Sequence, residues 1–291
     1  MHPAPSVIIF TALSGLGFGL FMWLGLGAPD VYGMQAFGMF FIAYAFAVGG
    51  LLASVFHLAN KKNAIYSFSQ WQTSWLSREG VLSVITLLVF AVFAIGRIFV
   101  GVSLDFFGYA GSALALLTVF STSMIYTQLK TVPRWNMPLT PVLFLLYAIS
   151  GGALLSMQPR VAGVLIVVLS ALQWAGWMMG DARFAQTGTT KGTATGLADR
   201  GRVRMFESAH TARNYVLDEM AYRIGRKHAQ KLRLIAITLI GVVPALLLLV
   251  APPSMPLAIV ALVLHLAGLL TARWLFFAEA EHVVTTYYAH D

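Results

Sequence analysis

The chain lacks cysteine altogether and carries few charged residues. The absence of cysteine excludes disulfides, thiolate zinc sites and iron–sulfur clusters ligated by this chain. Charged residues make up only 10% of the 291 positions, whereas a soluble domain carries about 25%. Hydrophobic residues make up 58%, so we expect an integral membrane protein.

The sequence also lacks a cleavable signal peptide and the alternating pattern of a membrane barrel. Met1-His-Pro-Ala-Pro5 leads directly into a full-length apolar stretch, with no basic segment before it and no small-residue cleavage site after it. We therefore expect this stretch to be retained as a helix. Helices satisfy their own backbone hydrogen bonds in lipid, and the predicted fold class is an all-α integral membrane protein.

Eight apolar segments are long enough to cross a bilayer, which requires roughly 20 residues. They are 5–27, 34–56, 79–98, 107–127, 139–157, 161–179, 234–251 and 255–277. The sequence thus predicts a single polytopic domain over 1–291, a bundle of eight transmembrane helices. One large loop, 180–233, separates the sixth and seventh spans.

Basic residues are distributed unevenly between the two sides of this bundle. With eight spans, both termini and the second, fourth and sixth loops share one side. All but Arg97 and Arg160 of the 19 lysines and arginines belong to that side. Positive charge concentrates in the cytoplasm, so we predict a bacterial inner membrane protein with both termini cytoplasmic. The net charge of +8 then reflects orientation and not nucleic-acid binding.

The long loop changes character along its length. Its stretch 187–196 is small, polar and expected to be irregular. From Arg204 onwards, basic residues alternate with apolar ones in a helical pattern: Phe206, Ala209, Tyr215, Leu217, Met220, Ile224 and Ala229. Such an amphipathic helix suits membrane lipid with anionic headgroups. It equally suits a docking surface for a soluble partner, and both interpretations stay open.

Glycines in the first two spans indicate helix packing. Ser14-Gly-Leu-Gly-Phe-Gly19 follows no strand and lies in an apolar helix, so it does not fit a phosphate-binding loop. The spacing of Gly15 and Gly19, and of Gly49 and Ala53, is typical of closely packed membrane helices.

Ionisable and aromatic residues at the entrance of the third span form the candidate site. His57 lies at the end of the second span, while Trp71, Trp75, Arg78 and Glu79 precede or open the third. Ionisable groups at membrane depth are costly and tend to be functional. Imidazole and carboxyl groups can exchange protons with a bound carbonyl compound, and tryptophans supply flat walls. We predict that these five residues bind a quinone, either ubiquinone or menaquinone.

The same residues also have structural interpretations. Ser77 followed by Glu79 fits a helix N-cap with an acid in the first turn. Arg78 can extend to lipid headgroups, and Trp71 and Trp75 can belong to an aromatic belt.

Two other functions are weaker alternatives. His265, in the middle of the last span, makes haem b an alternative cofactor, but no two histidines have the spacing of paired axial ligands. A transporter needs discontinuous helices with polar residues near the midplane, whereas most predicted spans are uninterrupted. We predict no metal site.

An ordered set of short segments resembles the membrane anchor subunit of dimethyl sulfoxide reductase-type molybdenum enzymes, over nearly the whole chain. The segments are His2-Pro-Ala-Pro-Ser-Val-Ile-Ile-Phe-Thr11, His57-Leu58, Ser77-Arg78-Glu79, Thr122-Ser-Met-Ile-Tyr126 and Lys130-Thr-Val-Pro-Arg-Trp135. The resemblance implies an anchor for a molybdopterin catalytic subunit and an iron–sulfur subunit, which exchanges electrons with quinone and does not itself perform the molybdenum chemistry.

The resemblance carries quinone-site roles to His57 and Glu79, whereas Arg78 and the two tryptophans are added from proximity. The predicted cytoplasmic face favours the anchor of a sulfite dehydrogenase, in which electrons from sulfite reach quinone. The alternative is the anchor of a dimethyl sulfoxide or related S/N-oxide reductase, which oxidises quinol.

Overall fold

The computed structural model describes residues 1–56, 61–207, 216–220, 228–252 and 254–287. Each of the eight predicted apolar segments corresponds to a helix in these ranges. They are α1 (Pro5–Gly25), α2 (Gly33–Val55), α3 (Trp75–Val100), α4 (Asp105–Thr127), α5 (Leu139–Leu155), α6 (Pro159–Gln186), α7 (Ala229–Leu249) and α8 (Met255–Ala278). The described residues contain no strand, and the all-α membrane fold is confirmed.

Within the described ranges, seven of these helices are long and apolar enough to cross a membrane. The eighth, α5, has 17 residues, which is about 25 Å of helix against a bilayer core of about 30 Å. The protein is therefore a multi-pass membrane protein, while the count of eight spans stays a prediction.

Helix α3 starts earlier than the sequence suggested. Its N-cap is Ser74, whose hydroxyl oxygen accepts a hydrogen bond of 3.5 Å from the Ser77 backbone N–H. The interpretation of Ser77 as the cap is wrong, because an equivalent hydroxyl three residues earlier performs that role. Glu79 consequently lies one turn inside the helix.

Helix α1 occupies the centre of the bundle and packs against α2, α4, α5 and α8. Gly19 allows the close approach to α5, because a Cβ atom there would overlap the Ala148 backbone. Gly17 and Gly50 play the same part between α1 and α2. Gly15 has no neighbouring atom within 4 Å of a built Cβ, and neither has Gly49. The predicted spacing thus identified Gly19 correctly, but Gly15 and Gly49 wrongly.

Both chain ends and the even-numbered connections gather at one end of the bundle, which we call the loop-rich end. The His2 N–H donates to the Glu219 carbonyl oxygen at 2.7 Å. The Val283 N–H donates to the Thr131 carbonyl oxygen at 2.9 Å, and the Tyr287 hydroxyl to that of Ala194 at 2.6 Å. These contacts tie segments distant in sequence into a single cap.

The loop between α6 and α7 is shorter than predicted. Because α6 continues to Gln186 and α7 begins at Ala229, the connecting residues are 187–228 and not 180–233. The stretch expected to be irregular contains a short helix, Lys191–Thr195. Most of the predicted amphipathic helix lies outside the described residues; its predicted start at 204–207 is not helical, and Val216–Met220 forms a π-helical turn.

Four charged residues join the loop-rich ends of several helices. Arg233 in α7 bonds both Asp181 in α6, at 2.7 and 2.8 Å, and Glu279 just after α8, at 2.8 Å. Arg134 pairs with Glu279 at 2.9 Å and also with Asp181. Glu279 is buried, with 4% of its side chain exposed, so its charge is compensated by the two arginines.

Candidate functional site

Glu79 is a buried carboxylic acid on the face of α3 that contacts α4. Only 4% of the residue is exposed. The Thr122 hydroxyl donates a hydrogen bond of 2.6 Å to its Oε1. Among the described residues Glu79 has no cationic partner within ion-pair distance. A buried acid without a cationic partner is typical of a functional group within a membrane.

The contact between α3 and α4 carries further hydroxyl groups. The hydroxyls of Thr86 and Thr118 lie 3.1 Å apart. Helical residues four apart share a face, which places Ser83 one turn from Glu79 and Tyr126 one turn from Thr122. Ser83 and Tyr126 were not predicted as site residues, although this spacing in the sequence was a signal that could have indicated them.

A cavity of about 640 Å³ opens beside Glu79 at the loop-rich end. Ligand pockets usually measure about 300–1,000 Å³, so this cavity is large enough for a small organic ligand with a ring. Its polar lining includes Glu79, Ser83 and Tyr126. Its apolar lining comes from helices and connections distant in sequence and includes Phe10, Leu51, Leu76, Trp135 and Phe277.

Aromatic rings hold the wall of this cavity in place. Tyr126 packs edge-on against Trp135 and Phe277, with centroid distances of 5.3 and 5.5 Å. On the other side, Phe68 contacts Gly80, where a Cβ atom would lie 3.1 Å from the ring. The lack of a side chain at Gly80 therefore lets Phe68 cover the helix next to Glu79.

The other predicted site residues are placed differently. Arg78 donates to the backbone oxygens of Trp71, at 3.0 Å, and Gln72, at 2.5 Å. Its guanidinium lies 4.4 Å from the centre of the Trp75 ring. The structure thus brings Arg78, Trp71 and Trp75 together, but the described lining of the cavity does not include them. Their contact with a ligand stays a prediction.

His57 lies outside the described residues. In the sequence it follows Val55, which lines the cavity, by two positions. Its assignment to the site stays a prediction.

Arg273 is an interior residue, although the charge distribution counted it among the basic residues of the predicted cytoplasmic side. It lies within α8, is 4% exposed, and its guanidinium sits 3.7 Å from the centre of the Phe144 ring and 4.9 Å from that of Tyr147. Hydropathy alone could not reveal this burial, because it depends on the aromatic face that α5 presents.

His265, considered as a haem ligand, contacts the backbone of α7. Its Nδ1 lies 3.1 Å from the carbonyl oxygen of Ile240. The residue four positions after Ile240 is Pro244, which has no N–H to donate. The α-helical bond to the Ile240 carbonyl is therefore missing, and the imidazole is placed to donate to this oxygen, which is a structural role. Binding of haem b stays a prediction of the sequence alone.

The site belongs to a polytopic membrane protein that holds a buried acid beside a largely apolar cavity. The chain matches the family model of the DMSO reductase anchor subunit (DmsC) over residues 1–278, and it belongs to that family. It is also similar to a sulfite dehydrogenase subunit of Allochromatium vinosum, with 30% identity over 328 aligned positions that cover 99% of each chain. No solved structure matches the chain. The protein is a membrane anchor subunit of a DMSO reductase family complex.

Proposed function

We propose that the protein is the quinone-reactive anchor of a heterotrimeric molybdopterin and iron–sulfur oxidoreductase. The observation that carries the proposal is the position of Glu79, a buried acid in the wall of a cavity of about 640 Å³. A quinone ring is flat and apolar with two carbonyl oxygens, so it needs apolar walls and a few hydrogen-bonding groups. The cavity offers both.

The proposed reaction requires protons as well as electrons. Reduction of a quinone to a quinol takes up two electrons and two protons, and oxidation of the quinol releases them. Glu79 is the proposed proton-exchanging group, held in position by the Thr122 hydroxyl. Ser83 and Tyr126 line the same space; the Tyr126 hydroxyl is the proposed donor to a carbonyl oxygen, because the Ser83 hydroxyl donates to the Gly80 carbonyl oxygen at 2.8 Å. His57 is proposed as a second proton-exchanging group from the family resemblance.

Electrons must reach the cavity from a partner, because a chain without cysteine ligates no iron–sulfur cluster of its own. The proposed partners are an iron–sulfur subunit docked on the loop-rich end and a molybdopterin catalytic subunit beyond it. The charge distribution supports a cytoplasmic location for this end in a bacterial inner membrane.

The comparisons support two candidate directions of electron flow. Similarity to a sulfite dehydrogenase subunit along 99% of both chains supports transfer from sulfite oxidation to quinone. The family description, a DMSO reductase anchor, supports the reverse direction as the second candidate. Purified complex tested with sulfite and with S-oxides, each with quinone and quinol, separates the two.

Glu79→Gln in the complete complex tests the site. The amide keeps the size of the side chain but cannot exchange protons, so quinone-coupled turnover should be lost while turnover with an artificial dye, which bypasses the anchor, persists. Glu207→Gln, the same change at an exposed position, is the matched control. Unchanged quinone kinetics in Glu79→Gln contradict the proposal.

A further inference from the structure

Helices α2 and α3 are in contact at only part of their length. At the depth of Tyr44, the two helices meet through its hydroxyl, which donates to the Leu87 carbonyl oxygen at 2.8 Å. Farther from the loop-rich end, Phe40 packs edge-on against Phe93 with a centroid distance of 5.9 Å. These contacts close the space between the helices on the side away from the cavity.

Nearer the loop-rich end, α2 and α3 border an opening. Leu52 of α2 and Leu76 and Val84 of α3 line the cavity, yet they are 57%, 46% and 45% exposed. A residue that borders a cavity and is also half exposed lies at the rim of its mouth. Because Leu52 and Val84 belong to helices with the length and composition of membrane spans, this part of the rim is placed to face lipid.

The size of this gap follows from helix geometry. From Tyr44 to Val55, the last residue of α2, a helix rises roughly 16 Å at 1.5 Å per residue. The gap therefore covers about half of the thickness of a bilayer core. Val7 and Phe10 of α1 line the cavity behind it, so its floor is apolar as well.

We propose that the gap between α2 and α3 is the binding groove for the isoprenoid tail of the quinone. This inference rests on the proposed function, and adds the path by which a lipid-soluble carrier reaches Glu79. The groove is continuous with the cavity, apolar and open to lipid, which suits a branched hydrocarbon chain attached to a ring. The ring lies at Glu79 and the tail passes between Leu52 and Val84 into the bilayer.

Leu52→Trp and Val84→Trp test the groove by narrowing it. In the complete complex, each variant should raise the KM for a quinone with a ten-carbon tail by roughly fivefold or more. The KM for a tail-less quinone and the kcat for both should not change, because only binding shared by ground and transition states is lost. Leu88→Trp is the control. Leu88 is 63% exposed on α3, the helix of Val84, but it does not line the cavity.

Three results would contradict the proposal that the groove binds the isoprenoid tail. The first is a KM in the Trp variants equal to that of Leu88→Trp. The second is an equal rise for tailed and tail-less quinones, which assigns these residues to the ring. The third is a Trp variant whose thermal stability after delipidation differs from that of the wild-type complex, while its KM for quinone does not change. That result assigns the groove to a lipid acyl chain.

An error in the groove proposal and an error in the proposed function give different results for the variants. If only the groove is wrong, Glu79→Gln abolishes quinone turnover while the Trp variants match their control. If the function is wrong, Glu79→Gln leaves quinone turnover unchanged. Should a Trp variant not assemble, Leu52→Phe and Val84→Ile repeat the comparison with smaller side chains.

Discussion

The hydroxyl of Thr122 donates a hydrogen bond of 2.6 Å to Oε1 of Glu79. This bond joins α4 to α3 within the bundle and fixes one oxygen of the acid. The same hydroxyl lies 3.1 Å from the Thr118 carbonyl oxygen, so the two acceptors compete for its single proton, and the shorter distance favours Glu79. The second carboxyl oxygen can then face a ligand.

Removal of this hydroxyl should impair the site without removing its acid. Thr122→Val keeps the shape of the side chain but deletes the donor. A hydrogen bond to a charged group contributes about 1.5–3 kcal/mol, so we expect a loss of roughly tenfold or more in quinone-coupled kcat/KM. Thr122→Ser, which keeps the hydroxyl, should retain most of the rate. Equal rates in the two variants contradict the proposed orientation of Glu79.

Glu279 should be important for stability and not for the reaction. Its carboxylate accepts bonds from Arg233 and pairs with Arg134, and its removal leaves these two largely buried cations with the half-exposed Asp181 as a shared acidic partner. Removal of one partner of a buried ion pair costs about 3–5 kcal/mol when the other ion is left unpaired, and Asp181 offsets part of this cost. Glu279→Ala should therefore lower the thermal midpoint of the detergent-solubilised protein strongly. Glu207→Ala, at an exposed site, should leave it nearly unchanged, and similar midpoints would refute this role.

The contact between His265 and Ile240 predicts a coupled pair of substitutions. His265→Leu leaves the Ile240 carbonyl without a donor and should cost about 1–3 kcal/mol. Pro244→Ala supplies an N–H four residues after Ile240, so the same substitution should cost less in that background. A double-mutant cycle of thermal stability measures the difference. Additive costs would show that the imidazole does not replace the missing N–H.

Two glycines of one helix should respond oppositely to the same change. Gly19→Ala places a methyl group against the Ala148 backbone and should cost about 1–3 kcal/mol, as overpacking does. Gly15→Ala meets open space and should be neutral or stabilising by about 0.5–1 kcal/mol, because alanine restricts the unfolded chain more. Thermal midpoints of the two variants compare them directly, and equal effects would argue against the α1–α5 packing.

The helices could be predicted from the sequence because each apolar run is long enough to be recognised from hydropathy alone. Boundaries shifted where polar groups belong to helices: α6 continues past Asp181, and α7 begins before Arg233. Asp181 and Arg233 were assigned to a loop, because a hydropathy pattern does not show that the two side chains pair with each other. Their partners lie far apart in sequence, and only the packed bundle shows them.

The candidate site was predicted in part. An acid at membrane depth is a strong signal by itself, which led to Glu79. The cavity could not be predicted from the sequence, because Phe10, Trp135 and Phe277 meet there from separate helices and connections. Proximity in sequence grouped Arg78 and Trp75 with Glu79, but successive residues of a helix point in different directions.

The composition of the cavity wall also affects how the protein matures. Glu79 is synthesised early, whereas Met220 of the loop between α6 and α7 and Phe277 of the last helix complete the wall. A nascent anchor with only its first helices inserted thus carries the acid without an enclosure for the carrier. Under the proposed function, the anchor therefore becomes able to exchange electrons with the quinone pool only when its last helix has been inserted.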